Sequence, residues 1–191
     1  MKKKTPMILV LAAVLVIAGC AAGIGRKKKI DSVTAAIEND TSAQEGIYLY
    51  LEEKVLPEFA GRLRDGYKRI CSFCLLGVDG KYIYVYAGTG DYAAEGERHL
   101  KCTNQAQVPV RLRYQYADGK LTLTDHFFPG DGAQYSRNLK QHFSKAARAK
   151  LAEMTNEEYK ALEELCLKRA CRFFGIEYGP QVLIENTQET K

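Results

Sequence analysis

Strict alternation of apolar and polar side chains marks the middle of the chain. Val108, Val110, Leu112, Tyr114 and Tyr116 recur at every second position, with Arg111, Arg113 and Gln115 between them. A period of two predicts a β-strand with one buried and one solvated face. Ala117-Asp118-Gly119-Lys120 predicts a turn. Leu121, Leu123 and Phe127, set against Thr122, Thr124 and His126, predict the returning strand over 121–128. Pro129-Gly130-Asp131-Gly132 breaks the sheet. From Ala133 the spacing turns helical, with Tyr135, Leu139, His142 and Phe143 along one side and Asp131 placed as the cap.

The flanking segments extend this pattern. Arg69–Gly77 and Lys81–Ala87 predict a hairpin about Val78-Asp79-Gly80, because Asp-Gly suits the positive φ of a tight turn. In its second strand Ile83, Val85 and Ala87 share one face, and Tyr82, Tyr84 and Tyr86 share the other. Gly88-Thr89-Gly90-Asp91 reads as a loop, and Glu97–Thr103 as a short strand. Toward the N-terminus, Val33, Ala36 and Ile37 predict a helix over 30–41. Ile47, Tyr48, Leu51 and Val55 predict another over 44–58, ended by Pro57. The helix from Ala133 is expected to run on, bent near Ser144, to Met154. A further helix opens on a Thr155/Glu158 capping box and stops at Gly175. The expected fold is α+β: N-terminal helices packed on an antiparallel four- to five-stranded β-meander, followed by C-terminal helices.

The N-terminus follows a different rule. Lys2, Lys3 and Lys4 precede an unbroken apolar run from Met7 to Ala18, and Ile17-Ala18-Gly19-Cys20 resembles a bacterial lipobox. Cys20 is then the lipid-attachment residue, and two acyl chains hold a protein firmly where one is marginal. The competing reading is an uncleaved transmembrane helix. Pro6 to Gly25 approaches the ~20 residues that span a bilayer, and the basic cluster at Arg26–Lys29 hinders translocation. Both readings tie the protein to the cell membrane, with membrane lipid as a partner through the N-terminus, and the folded domain is expected to face outside the cytoplasm. The expected division is 1–25 as signal or anchor, 26–30 as basic juxtamembrane linker, 31–175 as the folded domain and 176–191 as a tail.

Charge supports this division. The formal net charge is +5, but Lys2–Lys4 and Arg26–Lys29 account for more than all of it, so the chain from Ile30 onward is slightly acidic. Basic residues flanking an apolar segment suit anionic head groups. Nucleic acid is not expected as a partner, because it needs a basic face on the folded body.

Chemistry-bearing residues are sparse. Cys71 and Cys74 form a C-x-x-C, accompanied by Cys102, Cys166 and Cys171. A thiol pair of this spacing serves redox or zinc chemistry when further groups converge on it. On a strand, however, residues three apart point to opposite faces. Buried free thiols, disulfides and a metal site all stay open. His99, His126 and His142 lie far apart, and no nucleophile elbow or calcium loop is complete. No catalytic residue, metal or cofactor is therefore assigned. The candidate surface-binding residues are Tyr82, Tyr84 and Tyr86 as an aromatic platform, with Arg111 and Arg113 as an anion grip.

From about Val33 to Leu151 several short motifs stand in order. They are Ala35-Ala36-Ile37, Leu75-Leu76-Gly77, Tyr84-Val85-Tyr86, Val108-Pro109-Val110-Arg111-Leu112 and Asp118-Gly119-Lys120-Leu121. The strongest is Pro129-Gly130-Asp131-Gly132 with Tyr135, Leu139-Lys140 and Phe143. Together they resemble the extracytoplasmic domain carried after the membrane helices of clostridial beta-lactam-sensor-type (antirepressor) membrane metallopeptidases. Cys71-Ser72-Phe73-Cys74 stands where that family tends to show Glu-Gly-His. No His-Glu-x-x-His is present, so the zinc peptidase activity does not transfer. The resemblance implies an anchored, outward-facing accessory, binding or sensing domain without catalysis, with an envelope protein or a small ligand as partner. The alternatives are a thiol- or zinc-dependent envelope enzyme using Cys71 and Cys74, and a structural envelope lipoprotein.

Overall fold

The computed structural model describes residues 26–186. Strands β1 (Lys68–Asp79), β2 (Tyr82–Ala94), β3 (His99–Ala117) and β4 (Lys120–Phe127) form an antiparallel meander in that spatial order. A short β5 (Leu183–Asn186) pairs in parallel with the start of β3, so the sheet is mixed and the tail contributes to it. Helix α1 covers residues 26–39 and opens on the basic cluster Arg26–Lys29. Helix α2 (Thr41–Tyr50) opens where the Asp40 carboxylate accepts the Ser42 N–H at 2.8 Å. A π-helical turn (Leu51–Val55) leads into α3 (Leu56–Ala60). Beyond the sheet come α4 (Tyr135–His142), α5 (Lys145–Ala152) and α6 (Asn156–Phe174). The fold is α+β.

Several local expectations are corrected. Pro57 does not end its helix. It occupies the first turn of α3, where a missing N–H costs nothing. The expected strands at Glu97–Thr103 and Val108–Tyr116 merge into one, β3, which starts at His99 rather than Glu97 and is 19 residues long. Gly88-Thr89-Gly90-Asp91 lies within β2 rather than in a loop. A Cβ at Gly90 would sit 2.8 Å from the Tyr92 ring and 3.0 Å from the Cys102 sulfur, so this glycine serves close packing and not turning. Helices α4 and α5 are separate. Phe143 is extended, and the Ser144 hydroxyl accepts the Ala147 N–H at 3.2 Å. Asp131 precedes a short 3-10 turn but makes no capping hydrogen bond. The Thr155/Glu158 capping box and the left-handed Gly175 stop stand as expected.

The expectation of one solvated sheet face is also corrected. On one face Val33, Ile37, Ile47, Leu51 and Val55 pack against Ile83, Val85, Val110 and Leu112. On the other, α4 to α6 cover the tyrosines, with Leu76, Tyr84, Phe143 and Ala147 in one cluster and Tyr92, Cys102, Cys166 and Ala170 in another. Tyrosine suits such a covered face, since its ring is buried while its hydroxyl finds a partner. Exposure persists near the β3–β4 turn, at Arg113 and Gln115.

Two polar clusters tie the layers together. Arg69 pairs with Asp91 at 2.7 and 2.8 Å, both side chains buried, and donates to the carbonyls of Leu56 and Gly61. Across the β1 edge, Arg169 of α6 lies 3.6 Å over the Tyr48 ring and bonds Glu45 and Glu52. Glu52 in turn accepts the backbone N–H of Cys71 at 3.0 Å, covering part of an otherwise open strand edge. Among the described residues, no helix is long and apolar enough to cross a membrane.

Candidate binding groove

Register assembles the site. Tyr84 sits opposite Arg111 and Tyr82 opposite Arg113 between β2 and β3, and Arg111 sits opposite Phe127 between β3 and β4. The Arg111 guanidinium lies 4.4 Å from the Tyr82 ring centre and 5.3 Å from that of Phe127. Its Nη1 reaches His142 Nδ1 at 3.3 Å and the His142 carbonyl at 3.5 Å. The His142 ring stacks on Phe127 at 3.8 Å. Aromatic faces thus hold the guanidinium plane, and α4 delivers the histidine that fixes its position.

The donor role of Arg111 assigns the histidine's state. A guanidinium can only donate, so Nδ1 accepts and the proton of the neutral ring resides on Nε2. Burial, and then the Arg111 charge, hold the His142 pKa below its ordinary value. A helix C-terminus by itself favours a cationic histidine, so desolvation and like charge prevail here.

Around this centre runs an open groove of about 600 Å³, between the β1–β2 turn, the first turn of α1 and the end of α4. The turn is held from both faces of the sheet. The Tyr84 hydroxyl donates to the Asp79 carboxylate at 2.7 Å, and the Tyr114 hydroxyl donates to the Asp79 carbonyl at 3.2 Å. Burial, then the Asp79 hydrogen bond, push the Tyr84 pKa upward, so the phenol stays protonated. At Gly80 a Cβ would approach Arg26 Nε to 2.8 Å, so the glycine lets Arg26 lie across the turn. Arg26, Lys81 and Arg111 bring three positive charges to the lining against the single carboxylate of Asp79. Among the described residues, neither Arg111 nor Lys81 has a carboxylate within ion-pair distance.

Of the expected binding residues, Tyr82, Tyr84 and Arg111 meet in this groove. Tyr86 does not. Its ring packs edge-on against Tyr159 of α6 at 5.5 Å, and burial pushes its pKa up to about 12. Arg113 is exposed and lies outside the lining. Alternation along β2 and β3 pointed to the groove's floor. Lys81, His142 and Arg26 reach it through a turn and two helix ends, and no local period marks them.

The thiol pair is not a pair in space. Cys71 faces the N-terminal helices and donates to the Tyr48 carbonyl at 3.7 Å, whereas Cys74 faces the C-terminal helices. Cys166 donates to the Ile70 carbonyl at 3.1 Å. Cys71, Cys74, Cys102, Cys166 and Cys171 are all free, and burial raises the pKa of each, that of Cys166 to about 12. Cys20 and the apolar run before it lie outside the described residues.

Two other histidine clusters lie outside the groove. Glu95 and Glu185 approach opposite ring nitrogens of His99, at 3.9 and 3.8 Å, and Lys101 holds the other Glu95 oxygen at 3.3 Å. Such a layout sets His99 of β3 beside Glu185 of β5. On the opposite face of the sheet from the groove, His126 lies between the Tyr50 hydroxyl and the Glu58 carboxylate, each at 3.3 Å. Both histidine nitrogens are thereby engaged. Comparison of this chain with protein-family models, with curated proteins and with solved structures finds no match.

Proposed function

We propose that the protein is a membrane-anchored extracytoplasmic binding or sensing domain without catalytic activity, and that the Arg111 groove takes an anionic ligand. One observation carries this reading: a half-buried arginine, held by two rings and a neutral histidine, with no carboxylate partner among the described residues. A guanidinium fixed in this way is arranged for bidentate hydrogen bonding to a carboxylate or phosphate. The apolar N-terminal run with Cys20 supports anchoring, as does the resemblance of residues 33–151 to an outward-facing sensor domain. The separated, high-pKa thiols favour packing roles over thiol chemistry.

The test is calorimetric titration of the full chain in detergent with inorganic phosphate, glycerol phosphate and acetate. Saturable binding of at least one anion is expected, lost in Arg111→Gln and kept in Arg113→Gln. Equal heats from wild type and Arg111→Gln across all three anions contradict the proposal.

A further inference from the structure

The groove's position relative to the anchor narrows its ligand. Arg26 lies across the β1–β2 turn at Gly80 and is itself part of the lining. The chain from Cys20 to Arg26 reaches at most about 20 Å when fully extended. If the apolar run spans the bilayer instead, Gly25 ends it and the groove abuts the head groups directly. Either anchor therefore keeps the groove close to the lipid surface.

Charge at that end of the fold matches the surface. The start of α1, the β1–β2 turn and the β3–β4 turn share one end of the sheet, since Tyr82 pairs with Arg113 and Ala117 pairs with Lys120 just beyond. Arg26–Lys29, Lys81, Arg113 and Lys120 outnumber Asp31, Asp79, Asp118 and Asp125 there. Lys27, Lys28, Lys29, Lys81 and Lys120 are exposed. Of the acidic groups, Asp79 already accepts the Tyr84 hydroxyl. An end with this balance is drawn to anionic head groups and not to neutral ones. Within it, Arg111 is the cation held in a fixed plane, and the groove's volume lies in the range that takes a small polar group.

We propose that this end of the domain docks on the membrane and that the Arg111 groove takes the phosphate of an anionic phospholipid, with Lys81 and Arg26 as flanking contacts. The inference rests on the reading of the groove as an anion site in an anchored protein. It adds the source of the anion, and it fixes how the domain sits on the bilayer.

The test uses the full chain reconstituted in nanodiscs of phosphatidylcholine, with or without phosphatidylglycerol. Acylation of Lys81 is timed by mass spectrometry, and Lys168 of α6, which is exposed, serves as the control. Phosphatidylglycerol is expected to slow Lys81 acylation by roughly fivefold, the ratio one basic contact at an anionic surface supports. Lys168 should not change, and Arg111→Gln should abolish the effect. Equal slowing in wild type and Arg111→Gln overturns the proposal, because it shows surface charge acting without the groove. If phosphatidylglycerol has no effect but inorganic phosphate slows Lys81, the groove takes a free anion. The lipid inference then fails while the anion reading stands. If neither changes Lys81, both fail. Should Arg111→Gln not fold, Lys81→Gln with hydrogen exchange at 141–144 as the readout makes the same distinction.

Discussion

Arg111 and His142 share one hydrogen bond, Nη1 to Nδ1 at 3.3 Å, in which the histidine is the acceptor. Protonating His142 removes that acceptor and places a second cation against the first. The pair therefore gives the groove a pH dependence of definite sign. The folded pKa lies below the unfolded value of about 6.5, so below that pH the unfolded chain binds more protons. The stability contributed by neutral His142 is fully present above about pH 6.5 and is lost as pH falls through the folded value. Urea midpoints measured from neutral to acidic pH should fall more steeply for wild type than for His142→Gln. Parallel curves contradict the assignment.

The Arg169 clamp predicts a graded loss of stability. Arg169→Leu removes the cation over Tyr48 and leaves Glu52, whose side chain is 10% exposed, without its cationic partner. A loss of about 2 kcal/mol is expected in urea denaturation. Glu45→Ala removes an exposed partner of the same arginine and should cost no more than about 0.5 kcal/mol. Equal effects from the two variants are inconsistent with a clamp centred on Glu52 and Tyr48.

Two glycines predict opposite signs. Gly90→Ala drives a methyl into the Tyr92 ring and the Cys102 sulfur, both buried, and should cost about 1–3 kcal/mol. Gly46 lies in α2, and a Cβ there would meet open space. Gly46→Ala should stabilise by about 0.5–1 kcal/mol, because alanine loses less backbone freedom in a helix. Thermal midpoints compared with wild type decide both.

Thiol reactivity should follow burial. Cys74 is half-buried and Cys71 fully buried, and desolvation raises the pKa of both. Alkylation of the native chain, located by peptide mass spectrometry, should reach Cys74 first and Cys71 only on unfolding. Rapid modification of Cys71 under native conditions restores the thiol-enzyme alternative.

The hairpins were legible because a period of two survives in the sequence wherever one sheet face is uniformly apolar, as in Val108 to Tyr116. The α6 boundaries were legible because Thr155, Glu158 and Gly175 act locally. Gly88 and Gly90 misled because glycine marks both turns and close packing, and only the positions of Ser72 at the first and Tyr92 at the second decide between them. The covering of the tyrosine face by α4 to α6 is tertiary, and alternation alone does not separate a face wet by solvent from one covered by helices. The floor of the groove was visible as Tyr82, Tyr84 and Arg111, while its His142 wall depends on where α4 ends.

The anchored-groove account stands or falls with the N-terminus. The most direct measurement is the intact mass and N-terminal peptide of the protein recovered from its native cells, taken separately for the membrane and soluble fractions. The account predicts a membrane-bound chain that either begins at acylated Cys20 or retains Met1 ahead of an uncleaved apolar run. A soluble chain whose first residue lies beyond Cys20 contradicts it, because nothing then holds the Arg111 groove at the bilayer.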